Sequence, residues 1–276
     1  MLARRRLTNL AMMALCVVLT VCALVPLASI LTFVTVRGFR ALSPEFLTRL
    51  PAALGEPGGG IANAITGSLI LVGLATLLAV PVGVLAGVYL AEFGRGILAR
   101  QVRFWAEVLV GVPSIIVGAA VYGLLVVPMG RFSALAGSVA LAIIMIPVVT
   151  RTTEEMVRMV PTTLREASLA LGATRARTVV SVVLRSARAG ILTGAMLAVA
   201  RAAGETAPLL FTALSSRYWF SGLDQRVASL PVYIFTYATT PYEELHRQAW
   251  GAAFVLLALV LALNLAARAT TRRIRL

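Results

Sequence analysis

The chain has 276 residues, 59% of them hydrophobic, and a mean hydropathy of +0.92. A soluble single domain of this length does not carry that mixture, whereas a polytopic helical membrane protein requires it. The formal charge of +14 rests on 25 basic residues, every one an arginine, spread between apolar stretches rather than gathered with aromatics, which points to membrane topology and away from nucleic acid.

The first apolar stretch, residues 7–36, follows Arg4, Arg5 and Arg6 and carries no charge. It begins like a signal peptide but is about twice as long as a signal core and is not closed by a small-x-small cleavage site. A retained transmembrane helix is therefore expected, with Cys16 and Cys22 as small buried hydrophobes inside it. Further windows able to span ~30 Å of hydrocarbon run 61–91, 108–130, 132–150 and 248–267. One more, 189–213, is interrupted only by Arg201 and Glu205. The fold class is thus all-α, a polytopic membrane protein of about six transmembrane helices.

Six spans put both termini on one side, and the arginines choose which side. Seventeen flank one set of span ends: Arg4, Arg5, Arg6, Arg95, Arg100, Arg103, Arg151, Arg158, Arg165, Arg175, Arg177, Arg185, Arg188, Arg268, Arg272, Arg273 and Arg275. Seven flank the other: Arg37, Arg40, Arg49, Arg131, Arg217, Arg226 and Arg247. Both termini are expected in the cytoplasm.

Within the spans, Gly83 and Gly87 form one GxxxG and Gly190 and Gly194 another, spacings that let helices approach closely. Pro81, Pro113 and Pro147 each threaten a helical ladder. The outer connection 37–60 ends in a glycine-rich turn at Gly55, Pro57, Gly58, Gly59 and Gly60. The other long outer connection, 214–247, holds Tyr218, Trp219, Phe220, Tyr233, Phe235, Tyr237 and Tyr242, residues of the membrane interface. Its uncharged piece 227–240 is too short to cross and is expected to lie on or dip into the outer leaflet. It serves either as an interfacial anchor or as a surface for an outer partner.

Residues 151–188 are the longest cytoplasmic connection. Thr163 and Glu166 have the spacing of a capping box after Pro161, predicting a helix over 164–171. Gly172 supplies a left-handed stop, and Thr174 caps a second helix from Arg175 to about Arg185. The two helices present short apolar faces, Leu164, Ala167 and Leu171 on one, Val179, Val182 and Val183 on the other. Such an elbow reads as a docking element for another protein. Glu166 has two readings, completion of the cap and contact with that partner.

Glu166-Ala167-Ser168, three residues, Gly172, nine residues and Val182-Val183-Leu184 resemble the EAA loop of ABC importer membrane subunits. The sequence departs from that pattern at Ser168 (alanine in the family), Val182 (isoleucine) and Arg185 (the closing proline). The strings Arg151–Glu155, Leu164–Thr174 and Ala200–Ala213 extend the likeness to the PstA-type permeases of phosphate-specific transporters, over most of 62–267. The resemblance implies a type I importer permease. Residues 1–60 would form an N-terminal transmembrane helix and outer loop, and 61–276 the transport core with its coupling loop 151–188. It implies that Glu166, Ala167 and Gly172 serve coupling to an ATPase. It further implies an assembly with a PstC-like permease, two PstB-like ATPase subunits and a PstS-like periplasmic phosphate receptor in the bacterial inner membrane.

Arg201 and Glu205 are the charged pair within a span, and an ionisable group there is a site hypothesis by default. Four residues apart, they share a face if the helix continues. Arginine suits an oxyanion through its planar fork of donors, while Glu205 opposes an anion. Either the pair is closed at rest and Arg201 swings to phosphate when the path opens, or it only locks this helix to a neighbour. Thr206 and Ser114 are the hydroxyls assigned to the path. A membrane enzyme is disfavoured, because the chain has no HExxH, no GxSxG and only His246 as histidine. Without lysine there is no Walker A loop, so ATP hydrolysis belongs to a separate subunit. No metal or cofactor is expected. The alternative is a permease of the same kind for another oxyanion or small polar solute.

Overall fold

The computed structural model describes residues 2–53 and 58–274. Every regular element among them is helical. They are α1 (Leu2–Ala41), α2 (Pro44–Thr48), α3 (Ala62–Phe93), α4 (Ile97–Gly111), α5 (Ser114–Met129) and α6 (Ala134–Arg158). The chain continues through α7 (Thr162–Ala170), α8 (Arg175–Ala203), α9 (Ala207–Thr212), α10 (Leu230–Ala238) and α11 (Glu243–Ile274). Five helices are long and apolar enough to cross a membrane, namely α1, α3, α6, α8 and α11, and the bent pair α4–α5 brings the number to six.

α6 is the central helix. The GxxxG glycines of α3 face it: a Cβ on Gly83 would stand 2.7 Å from the Val149 Cβ, and one on Gly87 would stand 2.6 Å from the Thr150 carbonyl oxygen. The second GxxxG serves the other flank, Gly190 lying on Met156 and Gly194 on Thr152. One helix is thereby held between two neighbours at near-backbone distance, as small residues allow in an apolar medium. Leu71, Ala75, Leu141, Met145, Val149, Ala198 and Leu209 fill the space between them.

Among the described residues α1 touches this body near its C-terminal end, where Gly38 sits against Trp250 and Phe254 of α11 and Phe39 meets Phe254 edge-on. Its long apolar stretch is uncovered by the rest of the chain, and Cys16 and Cys22 are exposed there rather than buried. The expectation for these cysteines fails because α1 has no neighbour among the described residues along that length.

The proline expectations divide. Pro81 and Pro147 lie inside uninterrupted α3 and α6. Pro113 breaks the chain: α4 and α5 meet at 106° across it. The window 108–130 therefore shortens to Ser114–Met129, because residues up to Gly111 complete α4. α4 turns Ile97, Leu98, Phe104 and Trp105 outward and Arg103 toward the body.

Two further boundaries shift. The window 132–150 continues as helix to Arg158. The second elbow helix does not stop near Arg185 but runs on to Ala203 through a π turn at Val179–Val183. The piece 227–240 forms α10, which packs on α3 and α11 with Leu230, Val232 and Tyr233 buried. The Leu230 amide donates to Ser68 Oγ at 2.8 Å, and the Tyr233 hydroxyl donates to Gln248 Oε1 at 2.8 Å. These internal partners satisfy polar groups of α10 within the chain. Gly55 and Pro57 of the glycine-rich turn lie outside the described residues.

Because a carbonyl oxygen of α6 blocks the side chain at Gly87 while Gly73 faces open space, Gly87→Leu is expected to destabilise the protein by about 2 kcal/mol through overpacking. Gly73→Leu should leave it unchanged. Thermal unfolding of the detergent-solubilised variants measures the difference.

Candidate translocation and coupling sites

Two regions carry the residues singled out above. The first is a break in the helix that holds Arg201. α8 ends at Ala203, and Gly204, Glu205 and Thr206 separate it from α9. The cause is Pro208, which has no N–H for the Gly204 carbonyl and whose ring would crowd it. The window 189–213 is therefore two helices, not one. Arg201 stands in the last turn of α8, where the helix end favours a cation. Glu205 lies past that end, its amide donating to the Ala202 carbonyl at 3.2 Å.

The pair survives the break in looser form. Arg201 Nε is 3.8 Å from Glu205 Oε1, an ion contact beyond hydrogen-bond length. The Arg201 side chain is 51% exposed and that of Glu205 is 16% exposed. Arg201 continues an open stripe on α8 with Thr193 and Leu197. The pair is thus not sealed within this chain: the guanidinium faces outward, toward whatever covers α8. Thr206 is half-buried at the start of α9 without a side-chain capping bond. Ser114 opens α5, and among the described residues no hydrogen bond joins it or Thr206 to Arg201.

Around the break, α9 is firmly seated. Pro208, Leu209 and Thr212 are buried, and a Cβ on Gly118 of α5 would come 2.6 Å from the Pro208 Cα. Thr212 donates its hydroxyl to the Pro208 carbonyl at 2.7 Å. The discontinuity is held on both sides by packed helix. Irregular backbone of this kind is tolerated at membrane depth where it is buried in protein or lines a cavity.

The second region is the elbow. Gly172 has φ +80°, the left-handed turn that its position requires, and Thr174 Oγ1 accepts from the Arg177 amide at 3.3 Å. The capping box does not form. α7 begins two residues early, at Thr162, with Pro161 extended before it, so Thr163 is already helical and cannot cap. Glu166 is released from that role and is exposed, as is Ala167. Leu164, Leu169 and Leu171 are also exposed, Leu171 at 90%. The valines of the second elbow helix divide differently: Val179 and Val183 turn inward, and Val183 packs with Val157, Val160, Ala187 and Ile191. The outward apolar surface of the elbow is therefore mainly α7, joined by the exposed Val180 of α8.

Sequence reading missed how this end of the bundle is tied together. Arg103 of α4 donates from Nε to Glu154 Oε1 at 2.7 Å and from Nη2 to the Leu90 carbonyl at 2.7 Å. Arg158 adds a second contact to the same Glu154 oxygen at 2.6 Å, and the Glu154 side chain is only 9% exposed. Arg151 bridges Glu107 of α4 and Glu155 of its own helix. Arg165 of α7 donates to Glu92 from Nε at 3.0 Å and Nη2 at 2.6 Å. It also donates to the carbonyls of Val157, at 2.8 Å, and Val160. Only the pairs four apart, Arg151–Glu155 and Glu154–Arg158, had a signal in the spacing. The others join residues 44 to 73 positions apart. For the break, the signal was Pro208.

Residues 79–276 match the family of binding-protein-dependent transport system inner membrane components. The phosphate transport system permease protein PstA of Yersinia pestis is 45% identical over 84% of this chain and 79% of its own length. That of Haemophilus influenzae is 43% identical over 96% and 94%. The probable PstA of Methanocaldococcus jannaschii is 42% identical over 89% and 87%. Among solved structures, the inward-facing MetNI methionine ABC transporter is similar with a TM-score of 0.58 at 23% identity, covering 78% of this chain and 94% of that one. The fold is that of an ABC importer permease, and the chain is a multi-pass membrane protein. By family and by relatives along nearly its whole length, it belongs to the binding-protein-dependent transport permeases of the PstA type.

Proposed function

We propose that this chain is the membrane-spanning permease subunit of an ATP-driven phosphate importer and forms half of the translocation pathway. The observation that carries the reading is the open, broken end of α8. It offers a guanidinium in a span, and α8 joins it without interruption to the elbow. From Arg175 to Arg201 the helix is about 39 Å long at 1.5 Å per residue. A displacement at the elbow is transmitted along it to the arginine.

In this reading a PstC-like subunit covers the exposed stripe of α8, so that Arg201, Glu205 and Thr206 face the pathway between the two permeases. A half-path explains why the pair is open in the single chain. Glu205 holds Arg201 at rest through a contact too long for a strong hydrogen bond, so the guanidinium is free to turn to an arriving oxyanion. Two PstB-like subunits hydrolyse ATP, and a PstS-like receptor delivers phosphate from the periplasmic side. The exposed leucines of α7, with Glu166 and Ala167 beside them, seat in a groove of the ATPase, and Gly172 sets the angle of the elbow. The arginine-rich end, with both termini, faces the cytoplasm of a bacterial inner membrane. The division at residue 60 separates an N-terminal helix that packs mainly on other subunits or lipid from the transport core.

Radiolabelled phosphate uptake by the assembled transporter, with sulfate and molybdate as competitors, tests the substrate. Phosphate alone should compete well, and preference for another anion would reject the assignment. Arg201→Gln should lower uptake by about a hundredfold or more, the scale of losing one charged donor to an oxyanion, while the ATPase subunit still co-purifies. Normal uptake would leave Arg201 a mere lock between helices. Gly172→Val should uncouple hydrolysis from uptake, because the positive φ disfavours a β-branched residue by about 1–2 kcal/mol. Its added Cβ meets nothing, so the effect is conformational. Gly172→Asn, which tolerates that backbone, should retain coupling, and the ratio of phosphate moved to ATP hydrolysed measures both.

A further inference from the structure

We infer that Arg165 and Glu92 form a latch that carries movement of α7 into α3, a second route of coupling beside the covalent one through Gly172 and α8. The inference rests on the reading of α7 as the segment that docks the ATPase.

The chain leaves α7 at both ends, toward α6 through Pro161 and toward α8 through Gly172. Neither path reaches α3. Among the described residues, the one side-chain hydrogen bond or ion pair from α7 to α3 is Arg165 to Glu92. Its geometry is that of a lock. Both carboxylate contacts go to a single Glu92 oxygen, while Nη1 and Nη2 also hold the carbonyls of Val160 and Val157 at the end of α6. The guanidinium is therefore pinned at every nitrogen, with the two side chains only 19% and 13% exposed. A planar fork fixed in this way transmits direction as well as distance, which a lysine could not.

The elements that receive it are deformable. Glu92 belongs to a π turn at Tyr89–Phe93 that closes α3, and α8 carries its own π turn at Val179–Val183. Val88 and Ala91 pack on the cluster that contains Val183, Val157 and Val160. Two π turns thus flank the end of α6 just where the arginine enters. Such turns recur at functional sites, because a helix can adjust its register there at low cost. Pull on α7 reaches Glu92, the turn yields, and α3 shifts along its glycine seam with α6. Ser168 Oγ and Thr178 Oγ1, 2.9 Å apart, tie α7 to α8 in parallel, so both routes move together.

A merely structural pair and a latch differ in what an apolar replacement does. Well-packed hydrophobic residues of similar volume often substitute for a buried ion pair without loss of stability, yet they carry no directional link. The test is the double variant Arg165→Met/Glu92→Leu, with Glu92→Gln as the milder change, in the full transporter reconstituted with its ATPase and receptor. The measured quantities are recovery of assembled complex, ATP hydrolysis and phosphate moved per ATP. The latch requires assembly and hydrolysis to persist while phosphate moved per ATP falls about fivefold or more, the lower end of coupling between sites. An unchanged ratio overturns it, as does loss of assembly in both variants, which would make the pair a scaffold. Ala167→Cys, cross-linked to the ATPase subunit in otherwise unaltered protein, tests the underlying reading separately. Without that cross-link, α7 is not the docking segment, whatever the latch variants do.

Discussion

Close backbone approach of α6 to its two neighbours is the constraint on which the remaining features depend. In lipid, apolar side chains gain little by leaving one apolar medium for another, so helices hold through contact and small residues decide where contact is closest. Gly83 and Gly87 bring α3 onto one flank of α6, and Gly190 and Gly194 bring α8 onto the other. With three axes fixed side by side, their ends on the elbow side are fixed as well. Glu92 at the end of α3 and the carbonyls of Val157 and Val160 at the end of α6 then fall within reach of one arginine. The polar arrangement follows from the glycine seam, since no side-chain network could pull helices to that separation against a Cβ.

The same seam makes the break at Gly204 intelligible. α8 is held along its length by α6, while α9 is held by α5 and α6 through Pro208, Gly118 and Leu209. The chain between them belongs to neither seat, and Pro208 prevents it from bridging them as helix. Arg201 is left in the last turn with its side chain turned away from the packed face. A charge there is kept by its outward aspect and by the helix end beneath it, not by burial with Glu205. The desolvation objection to buried ion pairs accordingly has no force within the single chain. In the proposed assembly it returns when a second permease covers the stripe, and an arriving anion would then be part of the compensation.

Much of this was legible in the residues, and the misses have physical causes. Span number, both GxxxG seams, the left-handed Gly172 and the Thr174 cap were read from local pattern, because each depends on residues within a few positions. Boundaries failed where two local signals competed. Thr163 and Glu166 had capping-box spacing, but Pro161 took the extended position and started the helix two residues sooner. Apolar windows located the spans yet ran across Pro113 and Pro208, where hydropathy says nothing about the backbone. The valines of the second elbow helix were assigned outward because the neighbour that buries them, the end of α6, comes from a fold that spacing does not encode. The links of Arg103 to Glu154 and Arg165 to Glu92 were invisible for the same reason, since tertiary geometry alone brings them together.

The exclusive use of arginine takes on meaning at the elbow. An ammonium offers a compact charge whose donors diverge, and at the end of a helix bundle it would satisfy a carboxylate and little else. Arg103 meets Glu154 with one nitrogen and the Leu90 carbonyl with another. Arg165 meets Glu92 and two carbonyls. Each joins a side chain on one helix to carbonyls at the end of another, where backbone groups begin to run out of helical partners. These forks therefore do two things at once: they cap helices that have run out of partners and set the angle at which the next element departs. Where α7 leaves α6, capping and angle are supplied by the same guanidinium. A force on α7 cannot move it without disturbing the end of α6 and the turn that closes α3, and in the proposed coupling that shared dependence lets a surface helix of nine residues act on a span beyond its own connections.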